Sequence, residues 1–181
     1  MTKRDLGATV ELDTKAIGED GTFTGYASIF GNRDDHRDIV MPGAYKASLV
    51  ARPASRVKML WHHDPTTPIG VWDSIEEDGR GLKVKGRLLL DLEKGREVHA
   101  LMKAGIIDSL SVGYRAVRHR MDRTKGARIL EAVDLWEISA VTFPSNAEAT
   151  ISGVKHHQPT DFSNLVAAIN SARTSLSKGI K

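Results

Sequence analysis

Two long strand patterns, over residues 107–117 and 129–143, constrain this chain more than any other feature, because they face each other across a basic turn at Lys125 and Gly126. Runs so rich in aliphatic and β-branched residues demand a sheet, and the turn between them makes the pair a hairpin. Shorter strand patterns precede them at residues 8–12, 22–30, 57–61, 69–76 and 82–90. The glycine within 22–30 signals a bulge or close packing, and Glu77-Asp78-Gly79-Arg80-Gly81 splits the last two runs as a hairpin. Within the first 155 residues only two stretches change to a helical period. Residues 44–51 follow Pro42-Gly43 and stop at Arg52-Pro53, while in 91–104 Val98, Leu101 and Met102 share a face before Gly105 ends the run. Pro65 and Pro68 predict a stiff loop after residue 61. About six or seven strands with so few helices predict a mainly β (α+β) fold: a mostly antiparallel barrel, closed or curled, flanked by short helices.

The barrel domain is expected to span residues 1–155, followed by a linker and tail over 156–181. Pro159 marks the linker, and Phe162, Leu165, Val166 and Ile169 give 162–176 a weak helical period. A length of 181 residues, with 40% hydrophobic and 27% charged content, suits one globular domain plus such a tail. There is no cysteine, which excludes disulfides, a thiolate nucleophile and cysteine metal ligands. The net charge of +3 is mild. Basic residues cluster at 115–120 and 123–128, which reads as a solvated hairpin rather than a surface for an acidic or nucleic-acid partner, so no nucleic-acid partner is expected. No apolar run reaches membrane-spanning length and residues 1–5 lack a signal-peptide core, so no membrane partner is expected and the protein should stay in the cytosol where it is made.

Three strand-like segments hold the parts of a hydrolytic site. Ser111 lies in Leu110-Ser111-Val112-Gly113, and Gly113 lets another backbone or a ligand come close. His62 and His63 end the run Met59-Leu60-Trp61. Asp134 and Glu137 lie in Val133-Asp134-Leu135-Trp136-Glu137-Ile138-Ser139. A serine hydroxyl needs a base within hydrogen-bond reach, and the base needs a third group to orient it. Strand alternation places Leu135 and Glu137 on one face, so an inward Leu135 implies an inward carboxylate. A buried carboxylate needs a partner, and an imidazole can be one. A rival arrangement makes His36, His62, His63 and nearby aspartates a metal hydrolase site. The acid-rich loop Gly31 to Asp38 lacks the spacing of a calcium loop, however, and reads as a turn held by Asx hydrogen bonds.

The chain also resembles the prohead serine proteases of tailed phages, whose fold is related to herpesvirus assemblin. The resemblance rests on Phe23-Thr24-Gly25-Tyr26-Ala27-Ser28-Ile29-Phe30, Asp38-Ile39-Val40-Met41-Pro42-Gly43-Ala44-Tyr45, Trp61-His62-His63-Asp64 with Pro68-Ile69-Gly70, Gly79-Arg80-Gly81-Leu82, Leu110-Ser111-Val112-Gly113-Tyr114, and Leu135-Trp136-Glu137-Ile138-Ser139 with Pro144-Ser145-Asn146. These stand in the family's order across about residues 20–155. Position 145 is Ser where the family pattern expects Ala, and the tail lies outside the match.

The resemblance implies a His-Ser-acid triad on a strand-rich barrel. It selects the histidine before the aspartate, His63 rather than His62. It selects the serine before an aliphatic residue and glycine, Ser111 rather than Ser109, and the acid before an aliphatic residue and serine, Glu137. The herpesvirus enzymes use a second histidine in the third role, and Asp134 lies nearby. The implied activity is acyl-enzyme endoproteolysis of the scaffolding region of the major capsid protein, and of the protease itself, inside the assembling procapsid in the host cytoplasm. No cofactor or metal is implied; the protease should be a homo-oligomer or depend on assembly. The alternative is a non-catalytic capsid- or scaffold-associated barrel with a degenerate triad.

Overall fold

The computed structural model describes residues 17–152; the strand expected at 8–12, the linker and the tail helix lie outside them. Eight strands among the described residues form one sheet: β1 Thr22–Ile29, β2 Asp38–Val40, β3 Lys58–Trp61, β4 Asp64–Glu77, β5 Gly81–Leu88, β6 Ser109–Asp122, β7 Ala127–Val141 and β8 Ile151–Ser152. Two α-helices accompany them, α1 Lys46–Ala51 and α2 Glu93–Lys103. The strand order is β2-β7-β3-β4-β5-β1-β8, with β6 on the other edge of β7. The sheet curls until its ends meet: Leu110 N–H donates to the Ala149 carbonyl at 3.0 Å and Ile151 N–H to the Asp108 carbonyl at 2.8 Å.

The expected hairpins form and most strand pairs are antiparallel, as expected, but the sheet also holds two parallel pairs. Both β2 and β3 run parallel to β7, pairing with residues 128–130 and 137–140 of the same edge. Between these contacts the edge is met by α1 and the turn that leads into it. Val133 N–H donates to the Ala44 carbonyl at 2.9 Å, and Leu135 N–H to Ser48 Oγ at 2.8 Å. Backbone donors in a buried edge need such partners, so the helix completes a ladder that two short strands leave open. The 42–57 segment carries the chain back to make the second parallel contact, a return that no residue pattern announces.

The stiff loop expected around Pro65 and Pro68 is instead the start of β4. Its pairing with β3 slips at two places between residues 59 and 61. Proline, lacking a donor, is tolerated at such irregularities. Gly25 meets the expectation of close packing, since a Cβ there would press on the Thr150 carbonyl and the Ile151 backbone. In α2, Val98 and Met102 are fully buried, and Gly105 ends the helix with φ at 70°. One apolar cluster fills the interior, drawing on Phe23, Trp72, Leu82, Val98, Leu135 and Ile138 among others.

Candidate active site

His62 and His63 are the two central residues of the turn that joins β3 to β4, where Trp61 pairs with Asp64. Both have positive φ, 50° and 61°. A two-residue hairpin favours this left-handed geometry because its twist matches that of the strands, and histidine enters the region more readily than most non-glycine residues. Backbone contacts fix the turn from below. His62 N–H donates to the Ala140 carbonyl at 3.1 Å, and His63 N–H to Ser139 Oγ at 3.1 Å. The two rings then diverge. His62 packs edge-on against Trp61 at 4.2 Å, with Thr142 Oγ1 3.3 Å from its Nε2. His63 turns toward Glu137, its Nδ1 lying 2.6 Å from Oε1.

Glu137 reaches that position through a bulge. In the β6–β7 ladder Gly113 pairs with Glu137, but the next residue, Tyr114, pairs with Leu135, so Trp136 is the extra residue. Alternation breaks there. Leu135 and Ile138 both enter the apolar core, and Glu137 goes to the opposite face with Ser139. The expectation that Leu135 and Glu137 share a face is therefore wrong, because an inserted residue re-aims every side chain beyond it. The carboxylate is nonetheless well covered, at 13% exposure. The space left by the missing side chain of Gly113 is taken by the Glu137 carboxylate, with which an added Cβ would collide.

Both carboxylate oxygens are engaged. Oε1 faces His63, and Oε2 accepts the Ser139 hydroxyl at 2.5 Å. With Glu137 ionised, Nδ1–H is the donor, which leaves Nε2 with its lone pair. The hydrogen bond that His63 donates to Glu137 raises the His63 pKa above its ordinary 6.5, against the opposing effect of burial. His62 moves the other way, lowered by burial and by the neighbouring His63. Ser111 lies directly across the ladder from Ser139. It is buried, and lines one cavity with His63, Ser28, Asp34, His36 and Asn146.

The competing residues are committed elsewhere. Ser109 donates to Asp108 Oδ1 at 2.6 Å. Asp134 accepts from Arg52 Nη1 and from Trp136 Nε1, each at 2.9 Å, while the Arg52 guanidinium lies over the Trp136 ring. Among the described residues no group of three or more histidines and acids could hold a metal ion, so the rival metal arrangement finds no cluster. In the 31–38 loop, Asp34 Oδ1 accepts Asp38 N–H at 2.7 Å.

The sequence reading missed Asp38. It is 2% exposed, and Arg128 binds both its oxygens, Nε at 2.7 Å and Nη2 at 2.5 Å; Tyr114 Oη donates at 2.8 Å. Burial opposes the Asp38 charge, but these donors outweigh it and hold its pKa below the ordinary 3.8. The signal was an aspartate leading straight into Ile39-Val40. Asn146 ties the other wall down, its Nδ2 donating to the Ile29 carbonyl at 3.2 Å and to Asn32 Oδ1 at 3.0 Å.

The sequence pattern of the Caudovirus prohead serine protease family matches residues 9–162. The prohead protease of Enterobacteria phage HK97 is 37% identical over 147 residues; the match covers 80% of this chain, which spans 65% of that relative's length. The bacteriophage T4 capsid assembly protease shares the fold with a TM-score of 0.54 and 16% identity, over 66% of this chain and 80% of that one. The KSHV protease, solved with a hexapeptide phosphonate inhibitor, does so with a TM-score of 0.53 and 10% identity, over 84% and 76% of the two chains.

Proposed function

The chain belongs to the Caudovirus prohead serine protease family, and from that premise we propose that it is a serine endopeptidase that uses Ser111, His63 and Glu137 to mature a phage prohead. One observation carries this reading above the others. His63 is oriented by Glu137 at 2.6 Å and opens onto the cavity that also holds Ser111.

The chemistry then runs in two halves. Ser111 Oγ bonds to the substrate carbonyl carbon while its proton passes to His63 Nε2. His63 returns that proton to the amide nitrogen as the C–N bond breaks, which leaves an acyl ester on Ser111 and a free amine. Water then attacks the ester with His63 again as base, releasing a carboxylic acid and restoring the serine. Glu137 fixes the imidazole tautomer and stabilises its charged form in both halves.

The substrates are the scaffolding region of the major capsid protein and the protease itself, cleaved within the assembling procapsid in the host cytoplasm. This follows what the names of the relatives describe, a prohead protease and a capsid assembly protease. The active form is a homo-oligomer or depends on assembly. The test is to coexpress the chain with its capsid protein and follow cleavage. Wild type should convert the capsid protein and Ser111→Ala should leave it whole. Conversion by the Ser111→Ala protein would end the proposal.

A further inference from the structure

We propose that Ser139 is a positioning residue that locks the general base and its acid together. The inference rests on the His63–Glu137 reading above and adds a fourth residue to it. Three hydrogen bonds close a ring: His63 N–H to Ser139 Oγ at 3.1 Å, Ser139 Oγ–H to Glu137 Oε2 at 2.5 Å, and the imidazole to Glu137 Oε1 at 2.6 Å. The hydroxyl thus holds the backbone of the base and the side chain of the acid at once.

Each part of this ring would wander without it. His63 occupies a left-handed conformation on an exposed turn, and its ring is 44% exposed. A carboxylate bonded through only one oxygen can turn about its last torsion, which is the loosest of a glutamate. Ser139 removes that freedom by occupying the second oxygen. Its own position is rigid: it is 0% exposed, sits within β7, and pairs with Leu60 on one side and Ser111 on the other. The same hydrogen bonds keep Ser139 from being the nucleophile. Its proton is already donated to Glu137 and its oxygen already accepts from His63, so it offers neither to a substrate.

The hydroxyl should therefore matter to rate and to the imidazole, and little to substrate binding. In Ser139→Ala we expect kcat to fall on the order of ten- to a hundredfold, the effect of one lost hydrogen bond to a charged group, with KM nearly unchanged. The low-field proton signal of the His63 Nδ1–H···Glu137 bond should broaden away in the full-length protein, and Ser139→Thr, which keeps the hydroxyl, should restore signal and rate. Ser139→Cys, close in shape but a weak donor, should behave like the alanine variant and serves if the alanine variant does not fold. An intact proton signal and wild-type kcat in either hydroxyl-free variant would overturn the inference. The signal is read without turnover, so it tests the ring even if the Ser111→Ala protein still cleaves and the protease reading fails.

Discussion

Gly113 stands directly opposite Glu137 in the β6–β7 ladder, and the space left by its missing side chain is the space the carboxylate occupies on its way to His63. A methyl group there collides with the carboxylate. Gly113→Ala should lower kcat by about a hundredfold, the scale of a small misplacement of a catalytic group, while the melting temperature moves little. Unimpaired cleavage by that variant would mean that Glu137 need not lie where it does.

The pH dependence follows from the raised pKa of His63. In the proposed mechanism His63 must be neutral to accept the Ser111 proton, so kcat/KM should rise with pH through a limb above the ordinary histidine value of 6.5. Stability runs the opposite way. A folded-state pKa raised above the unfolded one gives a contribution that is complete below 6.5 and is lost as pH climbs through the raised value. In Glu137→Gln the limb should move down, because the bond that raised it is gone, and kcat should fall by roughly a thousandfold with KM little changed. A rate profile over pH, paired with denaturation at the two ends, checks both signs.

Asp38 and Arg128 make the opposite kind of switch. The depressed pKa of Asp38 gives stability present above 3.8 and lost as pH falls through the lower folded value. Replacing Arg128 by Met leaves a covered carboxylate without its main partner, and should cost about 3 kcal/mol at pH 7. The difference from wild type should shrink in acid, where Asp38 becomes neutral. Chemical denaturation at pH 7 and in acid measures it.

The bulge at Trp136 makes a prediction that straight-strand geometry does not. Leu135 and Ile138 are three residues apart, yet both are 0% exposed in the core. Each replacement by Ala should cost about 3 kcal/mol. Trp136→Ala removes an exposed ring whose main contacts are Arg52 and Asp134, and should cost under about 1 kcal/mol.

Much of this architecture is visible in the residues themselves. The β4–β5 and β6–β7 hairpins follow from apolar runs split by Asp-Gly and Lys-Gly turns, and α2 from the shared face of Val98 and Met102. Alternation says nothing about which strands pair side by side, so the parallel contacts of β2 and β3 with β7 were not expected. At the site, His63 and Glu137 meet as the residue pattern suggests, but alternation misplaces the face of Glu137 because no residue type announces a bulge. Nothing in the sequence marks Ser139, because a small polar residue in a strand looks the same whether it merely packs or bonds two polar neighbours. Asp38 was hidden at the end of a polar loop, where one buried acid resembles the exposed ones beside it.

The most direct test of the account is covalent labelling of the folded chain with a fluorophosphonate, followed by mapping of the adduct by peptide mass spectrometry. The account predicts one adduct, on Ser111, that disappears when His63 is replaced by Ala. No adduct, or an adduct on a different serine, would contradict it.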